Sequence, residues 1–531
     1  LNVHIDVART DSEFTGSTES VDRRWLTTPT ITFDTDRPSF AVSGVDLRDE
    51  SEQFFDGLFE QNQRSAGDDW QLRADLEYLV DGNLIRSVQA GVRYTDRDAV
   101  REFSDRFSRP ATPVNAASLP LLFDVFRGVD VGGSFTWAAP TYDSIRENLE
   151  ELRVIAGFPN GEPVARALLY TASEKNLAGY GQVNLGSGDL EGSVGLRYTR
   201  VKTRVAGPTE TGIPQIDDGS TNESWLPNAS IRYRPTPEWQ LRAAVSKTRT
   251  LASFQDLNPR LIIDRAPPEL PDGIGTAERP RTGSGGNPFL QPFTSWNFDV
   301  AAEYYFSPAG FVSLSGFHRR VDGFIQPGSV DLPDTPVGFL RIFAPENTGK
   351  GRITGLELQG QVFADFDSLP DWAQGFGMQV NITYIDAETE QNDGQGGLSF
   401  QPITDQLNGV SKWNYNIVGI YERYGLVARL AFNDRSSFRA TQQFRGSGNP
   451  GDAGNDVYTE TARPAGRLDL SLSYDINEDF AIFGDWTNIT RARFRQDFTS
   501  ARNGAPEAEF IRYFREDEAT VSLGVRFRFG R

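Results

Sequence analysis

Stretches of alternating apolar and polar residues recur from end to end of this sequence, and the connections between them are sorted by parity: short, long, short, long. Alternation marks strands with two unlike faces. From Asp69 to Val80, Trp70, Leu72, Ala74, Leu76, Tyr78 and Val80 share one face, while Gln71, Arg73, Asp75 and Glu77 share the other. Trp239, Leu241, Ala243 and Val245 oppose Gln240, Arg242 and Ser246 in the same way. The final stretch sets Val521, Leu523, Val525, Phe527 and Phe529 against Ser522, Gly524, Arg526 and Arg528.

Sixteen such segments begin near residues 1, 69, 84, 173, 189, 223, 239, 295, 311, 350, 376, 411, 426, 464, 480 and 510. Short turns at 81–83, 186–188, 235–238, 307–310, 363–375, 423–425 and 475–479 alternate with long loops that include 10–68, 98–172, 249–294 and 435–463. In an antiparallel barrel across an outer membrane every second connection lies on the same side, short toward the periplasm and long toward the exterior. A soluble sandwich or propeller has no reason to sort its loops by parity. The pattern predicts one all-β unit over residues 1–531, a transmembrane antiparallel β-barrel with about 16 strands present, in the outer membrane of a Gram-negative bacterium.

Aromatic placement supports that topology. With strands descending after each long loop, Trp70, Trp225, Trp296 and Trp413 fall at outer ends, and Trp239 and Trp372 at the inner rim with Tyr78, Tyr233, Tyr304, Tyr421 and Tyr474. These are two girdles. No apolar run is long enough for a spanning helix, which leaves a barrel untouched because its strands alternate.

Composition removes most other functions. A net charge of -20 repels polyphosphate, so nucleic acid is not an expected partner. With no cysteine and only His4 and His318, thiol chemistry, zinc-thiolate sites and multi-histidine metal centres have no residues to use, and neither a metal nor a cofactor is expected. Paired loop carboxylates such as Asp34 and Asp36 lack the fixed separation that glycoside hydrolysis needs, so no enzyme is expected. The N-x-S/T patterns at Asn228, Asn381 and Asn488 fall in predicted strands and are read as chance matches.

Several local stretches resemble one family. Gly286-Asn287-Pro288-Phe289-Leu290-Gln291-Pro292, followed by the strand through Phe306, is similar to the barrel region of TonB-dependent outer-membrane receptors. So are Asn347-Thr348-Gly349-Lys350-Gly351-Arg352-Ile353-Thr354-Gly355-Leu356-Glu357, Leu241 to Pro259, and Trp486-Thr487-Asn488-Ile489-Thr490 with the aromatic last strand. Two departures stand out: Leu251-Ala252 takes the place of a common Arg-Pro, and Gly530 and Arg531 follow Phe529 where the family usually ends on the aromatic. The stretch from Trp70 to Asp96, around Gly91-Val92-Arg93-Tyr94, looks most like a proteobacterial branch linked to carbohydrate uptake.

The resemblance implies a barrel of about 22 strands with a plug, whose plug and first strands are absent here. It also implies active uptake of a scarce solute, preferably a carbohydrate or oligosaccharide, driven through the plug by the TonB complex. Outer-membrane lipid and lipopolysaccharide are further expected partners, and a surface lipoprotein remains open. A ferric-siderophore receptor of the same family, a 16-stranded diffusion porin and a β-rich adhesin are the alternatives. Sugar faces stack on aromatic rings, so Trp25, Phe33, Phe54, Phe55, Trp137 and Tyr142 in the two longest loops are the candidate binding residues, with Phe289 and Phe293 next.

Overall fold

A computed structural model describes the chain except for residues 35–38, 131–132, 159, 209–216, 265–272, 278, 348, 367, 393–401, 447–454, 502–506 and 530–531. Its wall is a sheet of 18 strands. Two are short additions at the upper rim, Val114–Asn115 and Pro402–Gln406. The long ones are numbered here β1 (Asn2–Trp25), β2 (Gln53–Leu79), β3 (Ile85–Ser108), β4 (Leu168–Ser187), β5 (Leu190–Ala206), β6 (Asp217–Tyr233), β7 (Trp239–Thr250) and β8 (Phe293–Ser307). They continue as β9 (Gly310–Asp322), β10 (Lys350–Phe363), β11 (Phe376–Asn392), β12 (Trp413–Arg423), β13 (Leu426–Arg435), β14 (Arg467–Asp475), β15 (Phe480–Thr487) and β16 (Thr520–Phe527).

Each strand pairs antiparallel with its sequence neighbour, from β1 with β2 through β15 with β16. Among the described residues β1 is laddered only to β2 and β16 only to β15. The wall is thus an up-and-down meander with two free edges.

The two faces of this wall differ as the alternation requires. On one, Leu72, Leu76, Val92, Leu196, Val300, Leu356 and Val521 are exposed large hydrophobics, an apolar belt suited to lipid. Neighbouring strands pair aromatic rings at both rims of this belt. Tyr198 lies 4.8 Å from Trp225 and Tyr384 4.8 Å from Trp413 at the outer rim, and Trp239 lies 4.8 Å from Tyr304 at the inner rim. From Trp296 to Tyr304 the chain advances about 27 Å of strand at roughly 3.4 Å per residue, which at a tilt of roughly 40° separates the two girdles by about 21 Å along the membrane normal.

The opposite face is polar and internally bonded. Glu303 accepts from Gln240 Nε2 (2.6 Å), Arg242 Nη2 (3.2 Å) and the Tyr305 hydroxyl (2.7 Å). The Tyr180 hydroxyl donates to Asp75 Oδ1 at 2.8 Å. Several inward aromatic rings also fold over a glycine directly across the ladder, as Phe317 does over Gly355 and Phe483 over Gly524. A side chain at either glycine would collide with the ring.

The sixteen strands follow the expected order, but several boundaries differ. The loops expected at 10–68 and 98–172 shrink, because β1 and β2 remain paired up to Trp25 and Gln53, and β3 continues to Ser108. Above the belt both faces are wet, so the hydrophobic alternation fades while the backbone ladder continues. The strand expected near 510 divides in two: Ala508–Glu516 joins an extracellular sheet, and the wall strand is β16. That extracellular sheet pairs Phe438–Gly446, Asn455–Arg463, Arg493–Ala501 and Ala508–Glu516 in sequence order.

Asp497 is fully buried within this sheet, between Arg463 and Arg495. Burial pushes its carboxyl up, but hydrogen bonds and charge from the two guanidiniums hold it below the usual carboxylate range. The folded value lies below the unfolded one, about 3.9. The stabilisation is therefore complete above that pH and is lost as pH falls through the lower folded value. Hydrogen exchange over 493–501 should stay slow from neutrality to about pH 4 and rise only under stronger acid.

For the wall, Gly355→Val should lower unfolding stability in detergent by about 1–3 kcal/mol through overpacking. Gly181→Val, placed where a Cβ meets nothing within 4 Å, should stay within about 0.5 kcal/mol.

Candidate functional site

Two of the sequence motifs meet above the wall, and their meeting shapes a cavity. The segment 251–292 between β7 and β8 carries the strands Leu261–Ile263 and Arg281–Gly285. The connection between β9 and β10 is a hairpin of Ile325–Thr335 and Gly338–Asn347, and Arg281–Ser284 pairs in parallel with Leu340–Phe343. Asn347 clips the two together: its Oδ1 accepts from the Gln291 N–H at 2.7 Å, and its Nδ2 donates to the carbonyls of Gln291 (2.8 Å) and Gly323 (3.0 Å). Asn287 Nδ2 adds a bond to the Pro345 carbonyl at 3.0 Å.

The clipped segment is folded onto the inner wall. Leu257 and Leu290 pack with Tyr170, Ala172 and Val205 in a buried cluster that Ala99, Phe254 and Ile325 flank. Register assigns the face: Arg101 lies opposite Ser65 and Tyr170, one position out of phase with outward Trp70. Arg93, Arg97 and Arg101 recur every fourth residue on this polar face of β3.

Between segment and wall lies a cavity of about 790 Å³. The wall contributes Arg101, Phe103, Asp105, Leu169 and Tyr170, and the segment contributes Gln255, Asp256, Asn258, Arg260 and Ile262. Arg101 donates from Nη1 to Ser65 Oγ (2.9 Å) and from Nη2 to Gln63 Oε1 (3.0 Å). Asp256 is held by the Ser253 hydroxyl at 2.7 Å, and the buried Asn258 accepts from the Arg260 N–H at 3.0 Å. The site has donors, acceptors, two arginines, two carboxylates and an apolar flank. Its volume suits a small polar solute, and no group of three or more metal-ligating side chains occurs among the described residues.

Among the described residues, none of the aromatic candidates lines this cavity. Phe55 is 1% exposed, in a core with Leu58, Leu119 and Leu152. Phe54 lies beneath the Arg24 guanidinium, and Trp25 is half-buried at the end of β1. Phe33 belongs to the strand Thr30–Asp34, its side chain outside the described residues. Trp137 stacks on Phe126 at 6.1 Å, and Tyr142, 73% exposed, opens the short helix α1 (Tyr142–Glu147). Phe293 stacks on Phe324 at 6.0 Å, and Phe289 is exposed beside the clip.

The reason is which side of the wall each loop covers. The loop between β3 and β4 contains α1 and α2 (Leu149–Ile155), and Leu152 of α2 packs on Leu58. Glu60, 2% exposed, accepts from Arg153 Nε of α2 at 2.7 Å and from Arg106 Nε of β3 at 2.7 Å. Leu58 and Glu60 are in phase with Trp70, so this loop is latched to the outer face. Arg101 and its cavity occupy the inner one. Sequence reasoning missed Arg101, Tyr170 and Arg260; the four-residue arginine repeat along β3 was the signal for the first.

The Trp486–Thr490 motif is also a structural clip. Asn488 adopts φ 55° at 3% exposure. Its Oδ1 accepts from the Ala492 N–H (2.8 Å) and its Nδ2 donates to the Asp517 carbonyl (2.7 Å), which ties the end of β15 to the start of β16.

Comparison with known proteins agrees with this architecture. The family profile described as TonB dependent receptor-like, beta-barrel matches residues 6–489. No curated protein sequence matches the chain. Among solved structures, the siderophore receptor PiuA from Acinetobacter baumannii is similar at TM-score 0.52 and 11% identity, over 98% of this chain and 64% of that one. The pyoverdine outer membrane receptor FpvA from Pseudomonas aeruginosa PAO1 gives 0.53 and 10%, over 99% and 59%. The ferric citrate transporter FecA gives 0.51 and 11%, over 89% and 57%. The chain thus spans about three fifths of the length of these structures.

Asn347→Ala removes three exposed hydrogen bonds of the clip, each contributing a net of about 0.5–1.5 kcal/mol at most. Hydrogen exchange over 286–292 and 340–347 should accelerate while the wall strands below stay protected, as read by mass spectrometry.

Proposed function

The chain belongs to the TonB dependent receptor-like β-barrel family of Gram-negative outer membranes, and from that premise we propose that it captures a scarce polar solute outside the cell and admits it through the barrel. The cavity between the β3–β4 wall and segment 251–292 supports this reading. It sits above the belt on the polar face, where a solute is held before passage. As a transport barrel the chain is not an enzyme, and the energy for uptake would come from the TonB complex acting on a plug.

The free edges of β1 and β16 support the expectation that further strands and a plug complete the barrel. An unpaired edge cannot face hydrocarbon, because each unsatisfied backbone group there costs several kcal/mol. A self-closed 16-stranded porin would instead join β1 to β16.

For the solute, an oligosaccharide is the first reading. Gln255, Asn258, Asp256 and Asp105 offer the mixed donors and acceptors that sugar hydroxyls need, and the half-buried Phe103 ring offers a flat apolar surface. A ferric chelate is the second reading, favoured by the two arginines in the same cavity. The solved structures named above are iron-chelate receptors by name, but at 10–11% identity they speak to fold alone.

Calorimetry on the detergent-solubilised protein, with a panel of oligosaccharides against ferric chelates, separates these readings. Saturable sugar binding that is weakened by Asn258→Ala is the expected result. Tight binding of an iron chelate with no sugar response would overturn the carbohydrate assignment. Absence of binding by both classes to folded protein would overturn the cavity as the capture site.

A further inference from the structure

Arg101 and Arg260 enter the same cavity from different elements, one from the inner wall and the other from the folded-in segment. Arg101 uses two N–H groups on neutral partners, Ser65 and Gln63, and its Nε is buried without a hydrogen-bond partner. A buried donor left unpaired is costly, and an incoming acceptor relieves that cost. Arg260 makes no side-chain hydrogen bond or ion pair among the described residues; only its backbone N–H is used, toward Asn258. Neighbouring arginines on the same strand behave differently. Arg97 is paired with Glu174 at 3.2 Å, and Arg106 with Glu60.

The cavity's carboxylates do not neutralise this pair by contact. Asp256 is engaged by Ser253, and Asp105 is exposed, with no ion pair to either arginine among the described residues. Counting Arg101, Arg260, Asp105 and Asp256, the lining has no net charge, and the whole chain carries -20. A general positive field is therefore absent. What the cavity offers an anion is local: two guanidiniums on different walls with no carboxylate partner, Arg101 with its Nε still free and Arg260 with its whole fork free for a carboxylate. Phe103, Leu169, Tyr170 and Ile262 flank them with apolar surface for the rest of the solute.

We propose that the vestibule selects an acidic solute, gripping a carboxylate between Arg101 and Arg260 while the neutral body lies against Phe103 and Ile262. The proposal rests on the reading of this cavity as the capture site and adds the charge class of its ligand. A uronate-bearing oligosaccharide and a carboxylate-bearing iron chelate share the chemistry.

The test compares matched pairs by calorimetry on the detergent-solubilised chain: an oligogalacturonide against its methyl ester, and a carboxylate iron chelate against a neutral hydroxamate one. In at least one pair the acid should bind ten times or more tighter than its neutral counterpart, with the margin shrinking at high salt. The pair showing it identifies the source. Arg260→Gln should abolish the margin, and Arg260→Lys should restore part of it. Arg260 is the decisive position because its side chain holds nothing else in place, so its loss leaves the fold intact even if Arg101→Gln does not.

Equal affinity within both pairs, or a margin that survives Arg260→Gln, overturns the acidic-solute proposal while leaving the capture site standing. If no member of either pair binds protein whose circular dichroism and heat-modifiable gel mobility are those of a folded barrel, the capture site falls as well.

Discussion

Hydrocarbon offers a backbone no hydrogen-bond partners, and the arrangement of this protein follows from that constraint. A strand can cross only if neighbours on both sides complete its ladder. Strands that follow one another in sequence pair most simply, which yields the observed antiparallel meander. Side chains then sort by face. Leu72, Val300 and Leu356 turn outward, where lipid replaces a protein core, and Gln240, Glu303 and Tyr305 turn inward, where they bond one another. The same constraint gives meaning to the free edges of β1 and β16, since a wall in lipid is finished only when such edges meet partners.

The legibility of the chain tracks this physics. Where one face meets lipid and the other water, every second residue must be apolar, and strands from Trp70 to Leu79 or from Val521 to Phe527 can be read directly. Above the belt the demand disappears. Leu58–Asp68 has the composition of a loop, yet its backbone is laddered on both sides to β1 and β3. Aromatic rims were legible for a related reason: Trp239 and Tyr304 mark one interface because indole and phenol suit the boundary between lipid and water.

The site was less legible because the side of the wall that a loop covers depends on contacts remote in sequence. The loop carrying Trp137 and Tyr142 is drawn outward by Leu152 on Leu58 and by Glu60 between Arg106 and Arg153. The segment carrying Arg260 is drawn inward by Leu257 and Leu290 on Tyr170 and Val205. No local pattern announces either choice. The family-like motifs were visible, but their physical role was not: Asn287, Gln291 and Asn347 act as clips, and Asn488 ties the end of β15 to the start of β16.

Inward folding has an energetic consequence for recognition. A loop free in solvent must be ordered when a solute arrives, and that ordering reduces affinity. The two ends of segment 251–292 are held by an apolar cluster below, through Leu257 and Leu290, and by the Asn347 clip above. The guanidinium of Arg260 is thereby presented from a braced element, opposite an arginine that the wall itself holds through Ser65 and Gln63. Such a cavity keeps its shape before the solute arrives, so selectivity rests on the match between its fixed donors and the solute. A soft aromatic loop would stack on many rings; two arginines carried on held backbone select by charge.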